Sequence, residues 1–463
     1  MKKILLLTTP AKNSINIEVT KNVSKNTGIL PPLGLLYIAS YIKEQFKNTI
    51  EIKILDCHNK GYPELTSFIE KYQPDIIGIS AFTHTLADVI LTSKIIRQKL
   101  PLSLICIGGP HANNFPKELA GLNICDIVIG QDGEQIFSEI VKTVIENENI
   151  LEVKGIYLKG FYTGPRNKKK VKLEDLPFPA LDLYDFKKNA YFIDCKSPMT
   201  TMISAKGCRN NCYFCNTPKD IEIRSIQSLI NEILYYKSNG IEEIHFVDDT
   251  FNITTSRLYE FSNALLNNNI DLSWSCRLRV DKLTFEDLKL ARKAGCHTIH
   301  LGVETATNEG LKILNKNITI EDIENAFLKA QKAKIRTMGY FMIGLPFEKN
   351  IEAVKNTLKF AKKLKCDYAL FNIFVPFPNT YLYNMALDKG IIKKTEWDMY
   401  LAGKNLNFMP PVWSEYFCSK DLSDLLIKIN RSFYFDLNYI IRFLSKAKNY
   451  NFPFRKFKAF LGI

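Results

Sequence analysis

The chain has 463 residues, enough for about two to four domains of ordinary size. Hydrophobic residues make up 46% and charged residues 24% of it, which excludes a chain that is mainly disordered. No apolar run reaches the roughly 18 residues that a membrane-spanning helix needs. The apolar stretch Ile4–Leu7 is also too short for a signal peptide, so we expect a cytoplasmic protein.

The net charge of +14 comes from local clusters of basic residues. One lies between Arg166 and Lys172, and the other lies in the last residues of the chain. Such clusters suit nucleic acid, an anionic membrane surface or acidic ligands, and they also occur as ordinary solvated lysines. We favour the solvated interpretation. Without a zinc-finger or RNA-recognition signature, we expect no nucleic-acid partner.

The first part of the chain alternates short apolar runs with amphipathic segments. The predicted strands are Ile4–Thr8, Ile50–Asp56, Ile76–Ala81, Leu104–Gly108 and Ile127–Gly130. The predicted helices are Leu33–Phe46, Leu65–Tyr72, Ala87–Lys99 and Glu134–Glu146. This order predicts an α/β domain over residues 1–148, with a doubly wound, Rossmann-like parallel sheet. Its ligands would lie at the carboxyl ends of the strands.

Residues 149–195 are predicted to be a linker. The basic, polar segment Lys159–Lys172 comes first and is followed by Leu176–Pro179, in which two prolines favour an extended backbone.

A second alternating series spans residues 196–390. The predicted strands are Thr201–Ser204, Glu243–Asp248, Leu272–Arg277, Thr298–Gly302, Thr337–Ile343 and Ala369–Val375. The predicted helices are Ile226–Tyr236, Arg257–Asn267, Phe285–Ala294, Ile320–Lys334 and Ile351–Leu364. Six strands with intervening helices predict a partial (β/α)6 TIM-type barrel, with its active site at the carboxyl ends of the strands. The alternation then stops, and residues 391–463 are predicted to be a helical C-terminal region.

Three of the eleven cysteines form a C-x3-C-x2-C motif just after the first predicted barrel strand: Cys208, Cys212 and Cys215. Three thiolates are one ligand short of a closed zinc site unless a distant residue completes it. They also suit an iron–sulfur cluster, with one iron left open for a substrate or cofactor. The other eight cysteines occur singly and are predicted to be mostly small core residues.

With an aromatic residue before its third cysteine, the motif resembles that of the radical S-adenosylmethionine (SAM) superfamily. The resemblance implies a 4Fe–4S cluster on the three cysteines, whose open iron would hold the amino and carboxylate groups of SAM. Further motifs support it at Asp248–Phe251, Gly302–Thr305 and Gly339–Pro346. The SAM-binding residues it implies are Phe214, Asp248, Arg277, Glu304 and Gly344. For Asp248 and Asp249, a helix N-cap is an equally good interpretation.

The first domain resembles the cobalamin-binding domain in the branch that includes the anaerobic magnesium-protoporphyrin cyclases. The residues that the resemblance places at cobalamin are Pro32, Leu33, Gly34, Ser80, Thr83, Gly108, Gly109, His111, Gly130, Gly133 and Glu134. The segment Asp56–Gly61 also reads D-x-H-x-x-G, a pattern that supplies a cobalt-ligating histidine in other cobalamin enzymes. Here it follows the second strand rather than the first. We therefore favour cobalamin without a histidine ligand and keep His58 as the alternative.

The resemblance implies a cobalamin-dependent radical SAM C-methyltransferase. In such an enzyme a 5′-deoxyadenosyl radical activates an unactivated carbon, and methylcobalamin donates the methyl group. The alternatives are oxidative cyclisation or ring rearrangement in the same branch, a methylthiotransferase, or a non-enzymatic zinc-binding module. The substrate would be a small molecule, a lipid or a peptide, and a flavodoxin or ferredoxin would supply electrons.

The last segment, Asn451–Ile463, alternates aromatic and basic residues. We expect it to pack on the barrel. The alternative is an anchor at an anionic membrane surface, which would bring the enzyme to a lipid substrate.

Overall fold

The computed structural model describes residues 1–15, 30–131, 133–188 and 196–447. Within these residues the chain forms two compact units. The first comprises residues 1–15, 31–131, 133–185 and 395–409, and the second comprises 30, 186–188, 196–394 and 410–447. The predicted C-terminal region is therefore divided between the two units. The tail segment Asn451–Ile463 lies outside the described residues.

The first unit is built on a seven-stranded sheet with the order β2-β1-β3-β4-β5-β6-β7. The strands are β1 (Lys2–Thr8), β2 (Ile50–Asp56), β3 (Ile76–Ser80), β4 (Leu104–Gly108), β5 (Ile127–Ile129), β6 (Ile156–Leu158) and β7 (Phe161–Tyr162). The first five are parallel, as predicted. Ile4–Leu7 is buried on both faces of the sheet, which explains its uninterrupted apolar sequence. The strand order reverses between β1 and β3, where ligands of such sheets bind.

Four helices of this unit lie at nearly the predicted positions: Leu33–Phe46, Tyr62–Tyr72, Leu86–Lys99 and Gly133–Glu146. Two short helices, Pro110–Asn114 and Pro116–Gly121, were not predicted, and the helix Lys394–Leu401 comes from the predicted C-terminal region. The prediction of five strands was wrong, because β6 and β7 add an antiparallel hairpin at the edge. The two residues of β7 are exposed, so they lack the apolar periodicity that identifies a strand.

The second unit contains a parallel sheet of six strands in the order β15-β14-β13-β12-β11-β8, which confirms the partial barrel. Its strands, together with a small hairpin of β9 and β10, are β8 (Met199–Met202), β9 (Ala205–Lys206), β10 (Glu222–Ile223), β11 (Glu243–Phe246), β12 (Ser273–Leu278), β13 (Cys296–Glu304), β14 (Arg336–Ile343) and β15 (Tyr368–Ile373). Its helices are Ile226–Ser238, Arg257–Asn267, Phe285–Lys293, Asn308–Ile313, Ile320–Lys332, Ile351–Lys363, Tyr381–Asp388, Ser419–Tyr434 and Leu437–Ala447.

Aromatic residues fill the space between the barrel strands and the helices outside them. Trp274 on β12 contacts Phe246 on β11 and Phe261 on the helix Arg257–Asn267, with ring centres 6.0 and 5.2 Å apart. On the other side, Phe371 on β15 lies between Phe341 and Phe433. These contacts hold the sheet rigidly at its outer face. None of the described helices is long and apolar enough to cross a membrane.

A buried ion pair fixes the start of the barrel. The guanidinium of Arg224 lies 2.6 Å from the carboxylate of Glu232, and both side chains are almost fully buried. The backbone N–H of Arg224 donates to the Ser204 carbonyl, and the Tyr236 hydroxyl donates to Glu232. The pair thereby ties both ends of the cysteine-containing loop to the first barrel helix.

We expect Glu232→Ala to lower the free energy of unfolding by about 3 kcal/mol or more, because it leaves the buried Arg224 charge without its carboxylate. Denaturant unfolding would measure the loss. The control is Glu352→Ala, which breaks an exposed ion pair with Lys355 and should leave the midpoint unchanged. Equal effects of the two substitutions would contradict the structural role of the buried pair.

Candidate active site

The three-cysteine motif lies on a loop that the β9–β10 hairpin closes. Ala205 and Lys206 pair with Ile223 and Glu222, so the loop leaves and rejoins the barrel at one point. Gly207 starts the loop with φ of +81°, and a Cβ there would lie 2.3 Å from the Asp220 carbonyl oxygen. Only glycine permits this turn.

Each end of the motif has polar neighbours on its sulfur atoms. The Asn210 amide donates to Cys208 Sγ at 3.2 Å, and the Thr250 hydroxyl lies 3.6 Å from the same atom. The Thr217 hydroxyl lies 3.1 Å from Cys215 Sγ. Burial acts to raise the pKa of Cys208, but the hydrogen bonds from Asn210 and Thr250 outweigh it and lower the pKa overall. Burial raises the pKa of Cys212.

This set of donors fits a cluster bound through thiolate sulfurs, because polar donors around such sulfurs stabilise their negative charge. In the described parts of the chain, no three His, Cys, Asp or Glu side chains form a ligand group for a single metal ion.

Glu304 ends β13 in a strained conformation beside this loop. Its φ is +69°, and the strand register shifts between Gly302 and Glu304. Its buried carboxylate forms an ion pair with Lys316, whose Nζ lies 5.9 Å from the centre of the Phe214 ring. A Cβ on Gly302 would lie 2.5 Å from the Glu304 carboxylate and 2.6 Å from Lys316 Nζ, so glycine leaves the space that this ion pair needs. A non-glycine residue in this region of φ costs conformational energy, so the surrounding structure has to hold Glu304 in place.

Arginines from the end of β12 complete this side of the site. Arg279 forms an ion pair with Asp281, and its guanidinium donates to the Lys316 carbonyl at 3.1 Å. Arg277 donates to the Val247 carbonyl at 3.3 Å. The structure therefore brings Phe214, Glu304 and Lys316 together.

The two aspartates after β11 do not cap a helix, so that interpretation was wrong. The next helix begins at Arg257 and has Ser256 at its N-cap. Asp248 is buried and accepts hydrogen bonds from the backbone N–H and the hydroxyl of Ser204. Burial raises the pKa of Asp249, while the nearby Arg277, the Gly207 N–H and the Thr217 hydroxyl oppose the rise. Asp248 thus holds the base of the cysteine loop through Ser204.

Gly344 lies at the carboxyl end of β14 with φ of +74°. A Cβ there would lie 2.7 Å from the Leu422 side chain, so the helix Ser419–Tyr434 packs directly on this turn. No contact recorded among the described residues joins Gly344 to the Glu304–Lys316 pair.

In the first unit, the candidate residues after β3 and β4 form one cluster. The Ala81 N–H donates to the Gly108 carbonyl, and the His111 N–H donates to the Ala81 carbonyl. The Thr83 hydroxyl lies 3.0 Å from His111 Nδ1. Burial lowers the pKa of His111 to about 4, so its ring is neutral, and its buried Nε2 has no hydrogen-bond partner among the described residues.

Gly109 allows the loops after β3 and β4 to pack closely against each other. Its φ is +95°, and a Cβ would lie 3.0 Å from the Ala81 N and O atoms and 3.1 Å from the Ser80 hydroxyl. Gly130 lies beside the helix Pro110–Asn114, since a Cβ on Gly130 would be 3.6 Å from the Ala112 carbonyl oxygen. The two glycines therefore allow close packing around this cluster, and the buried imidazole nitrogen without a partner fits a ligand with polar substituents.

The remaining candidates lie at the starts of two helices packed against each other. Pro32, Leu33 and Gly34 begin one of them, and Gly133 and Glu134 begin the other. A Cβ on Gly133 would lie 3.4 Å from Ile38, while nothing lies within 4 Å of one on Gly34.

His58 follows β2, the edge strand next to β1, and its ring is exposed. Its backbone N–H donates to the Asp56 carboxylate at 3.1 Å. The assignment of His58 as a metal ligand stays a prediction.

Sequence reasoning missed several residues of the site. Asn210 lies inside the three-cysteine motif and Thr250 inside the Asp248–Phe251 motif, so their positions could have identified both as neighbours of the thiols. Thr217 and Lys316 have no such signal, because only the fold brings Thr217 to Cys215 and Lys316 to Glu304.

Comparisons with known proteins give a consistent result. The chain matches the model of the Radical SAM superfamily over residues 202–361 and that of the B12 binding domain over residues 19–141. It is 31% identical over 444 residues to an uncharacterized methyltransferase of Pyrococcus horikoshii, and the match covers 93% of this chain and 92% of that protein. It is 25% identical over 452 residues to the anaerobic magnesium-protoporphyrin IX monomethyl ester cyclase of Rubrivivax gelatinosus, with 93% and 77% covered.

The fold is similar to that of the radical SAM methyltransferase TsrM from Kitasatospora setae, a structure with cobalamin and a 4Fe–4S cluster bound. The TM-score is 0.64 at 16% identity, and the match covers 84% of this chain and 75% of that one. At this identity the similarity concerns the fold alone.

The buried carboxyl of Asp248 generates a pH prediction. Burial raises its pKa from 3.8 to about 6, although hydrogen bonds from Ser204 oppose the rise. The folded state therefore favours the protonated form, and the stability linked to this group is present below pH 3.8 and is lost as the pH rises through about 6. The full difference is roughly 3 kcal/mol.

We expect Asp248→Asn, which can keep the Ser204 contacts, to flatten the pH dependence of unfolding across this window. Denaturant unfolding of both proteins at several pH values would measure it. Parallel pH profiles for the variant and the wild type would contradict the buried, protonatable state of Asp248.

Proposed function

Because the chain belongs to the cobalamin-binding radical SAM family, we propose that it is a C-methyltransferase that methylates an unactivated carbon. The name of the Pyrococcus horikoshii relative, aligned over nearly its whole length, supports methyl transfer. The observation that carries the proposal is that one chain contains both a three-thiol loop and a glycine-containing cluster at the carboxyl edge of the first sheet. Such an enzyme requires a one-electron reductant, for which we propose a flavodoxin or ferredoxin.

The cofactors of this family divide the chemistry between them. When bound, the cluster and SAM supply a carbon-centred radical, and methylcobalamin supplies the methyl group. The protein binds these groups, orients them and excludes water, because a radical formed near solvent or in the wrong orientation is lost to side reactions.

We assign the cluster to Cys208, Cys212 and Cys215, and the hydrogen bond from Asn210 stabilises the thiolate form of Cys208. Glu304 is assigned to the ribose hydroxyls of SAM. Its ion pair with Lys316 fixes the direction of the carboxylate. The Phe214 ring, whose centre lies 5.9 Å from Lys316 Nζ, is assigned to SAM as well.

Cobalamin is assigned to the cluster formed by Ser80, Thr83, Gly108, Gly109 and His111. The neutral His111 ring can offer Nε2 to an amide substituent of the corrin without carrying charge into a buried site. Pro32–Gly34 and Gly133–Glu134 lie at the helix starts in the same unit and are assigned to the outer parts of the cofactor.

The second candidate function is another radical reaction in the same branch, such as oxidative cyclisation, as the name of the Rubrivivax gelatinosus relative suggests for that protein. A methylthiotransferase is less well supported, because Cys57 and Cys106 lie buried in the first unit and do not form a second exposed three-cysteine loop with Cys125. We propose a small-molecule, lipid or peptide substrate, since no described residue discriminates among these classes.

The first test is the loss of the cluster. After anaerobic reconstitution with iron and sulfide, we expect the wild type to convert SAM to 5′-deoxyadenosine in the presence of dithionite. Replacing Cys208, Cys212 or Cys215 by Ala should abolish this product, because the site has no spare thiolate. Liquid chromatography with mass spectrometry would measure it, and iron and sulfide analysis would separate an iron–sulfur protein from a zinc-binding module.

The control for this test is Cys418→Ser, a substitution at an exposed cysteine outside the motif that should keep both the cluster and the product. A triple Cys→Ala variant that still cleaves SAM would contradict the cluster assignment.

The second test concerns cobalamin. Gly109→Ala and Gly164→Ala place a side chain at nearly the same φ, +95° and +93°, but only the first meets neighbours within 4 Å. We expect Gly109→Ala to weaken the retention of hydroxocobalamin by roughly tenfold or more, because the methyl group would push the Ser80–Ala81 backbone away from its position. Gly164→Ala should stay within about twofold of the wild type.

Absorbance after desalting would measure retention in both variants. Equal losses would mean that backbone strain alone explains the effect, and the assigned cobalamin surface would be wrong.

A further inference from the structure

The segment Thr395–Met409 is separated from the rest of the first unit by the whole barrel sequence, yet it belongs to that unit. Residues on both sides of it belong to the other unit. The chain therefore enters the first unit for these fifteen residues and then leaves it. We call the segment Thr395–Met409 the strap.

The strap has a compact aromatic core of its own. Its helix Lys394–Leu401 buries Trp397 and Tyr400, and the following loop brings Phe408 back onto both. The ring centres of Tyr400 and Phe408 are 4.7 Å apart and stacked, and those of Trp397 and Phe408 are 4.9 Å apart. Three packed rings make the strap a rigid element with its own defined position.

The strap contacts the turn after β3. The Tyr400 hydroxyl donates to the Thr83 carbonyl at 2.7 Å. The same carbonyl accepts from the N–H of Leu86, the first residue of the helix Leu86–Lys99, so Tyr400 contacts the turn where that helix starts. The side chain of Thr83 contacts His111, since the Thr83 hydroxyl lies 3.0 Å from His111 Nδ1.

The strap backbone also packs closely against other residues of the first unit at Gly403. Its φ is +65°, and a Cβ there would lie 3.1 Å from Ile90 and 3.2 Å from Leu122. Glycine is needed both for the turn and for the approach. The strap is thus fixed at two points, one of them in direct contact with the assigned cobalamin cluster.

We propose that Tyr400 is a positioning residue that holds the Thr83 turn in its cobalamin-binding conformation, and that the strap retains cobalamin in the first unit. This inference rests on the proposed function, which places cobalamin against Ser80, Thr83, Gly109 and His111. With the Thr83 carbonyl fixed by the Tyr400 hydroxyl, the Thr83 side chain can orient His111 without rearrangement. A preorganised turn binds more tightly, because no ordering cost is added on binding.

The test compares two tyrosine variants of the full-length protein. Tyr400→Phe removes the hydroxyl and keeps the ring stack. Tyr72→Phe removes an equally buried hydroxyl of the same unit, which donates to the Ile4 and Glu51 carbonyls toward the opposite edge of the sheet. Hydroxocobalamin is the probe, and equilibrium dialysis and the dissociation rate after dilution are the measurements.

We expect Tyr400→Phe to weaken binding roughly three- to tenfold, the effect of one or two hydrogen bonds, mainly through faster dissociation. Tyr72→Phe should lower the unfolding midpoint without changing cobalamin affinity. In the cobalamin-free protein, hydrogen exchange of residues 80–87 should be faster in Tyr400→Phe only. Equal affinities of the two variants with unchanged exchange would overturn the role of the strap.

A glycine pair tests the second contact independently. Gly403 and Gly390 have nearly the same φ, +65° and +66°. Only a Cβ on Gly403 would have neighbours within 4 Å, so Gly390→Ala is the matched control for Gly403→Ala. We expect Gly403→Ala alone to weaken cobalamin retention. If the wild type binds no hydroxocobalamin, the proposed function fails together with this inference; if it binds normally and all four variants match it, only the strap inference fails.

Discussion

Parallel strand pairing is the constraint on which the rest of this structure depends. In both sheets it brings the carboxyl ends of strands that are distant in sequence to one edge, where the loops after them meet. The Cys208 loop follows β8, Thr250 follows β11 and Glu304 ends β13. The fold nevertheless brings these residues, or their direct neighbours, together at the carboxyl edge of the second sheet. The same constraint joins Ser80 after β3 with Gly109 after β4.

Rigid packing on the outer side of the barrel allows strain on its inner side. Trp274 and its aromatic neighbours fix β11 and β12 against helices, and Phe371 fixes β14 and β15. Because these strands cannot relax, Glu304 can be held at a positive φ with its carboxylate directed at Lys316. Gly302 provides the space that this arrangement needs. The sites are therefore preorganised, which is what a reaction with a short-lived radical demands of the protein.

Sequence patterns predicted the elements well wherever burial imposed a regular period. The helices Leu33–Phe46 and Arg257–Asn267 have the predicted bounds, because their apolar faces repeat at the helical spacing. The hairpin β6–β7 was missed, since its exposed second strand carries no such pattern. The N-cap interpretation of Asp248 failed because its partner, Ser204, lies 44 positions earlier and only the fold brings them together. Tyr400 could not be predicted either, since its partner Thr83 lies 317 positions away. Local chemistry, such as the three-cysteine motif, was visible in the sequence, whereas the residues that position it were not.

The central claim is that this chain transfers a methyl group to an unactivated carbon of its substrate, with SAM supplying both the radical and, by way of cobalamin, the methyl group. The most direct measurement expresses the wild type or its triple Cys→Ala variant in cells supplied with methyl-deuterated methionine and compares their small molecules by mass spectrometry. The account predicts a compound, present only with the wild type, in which a CD3 group replaces one hydrogen of the precursor, so that all three deuterium atoms of the donated methyl group are retained. A wild-type-specific compound that has lost hydrogen and gained no label would contradict methylation and identify the chain as an oxidative member of the same family.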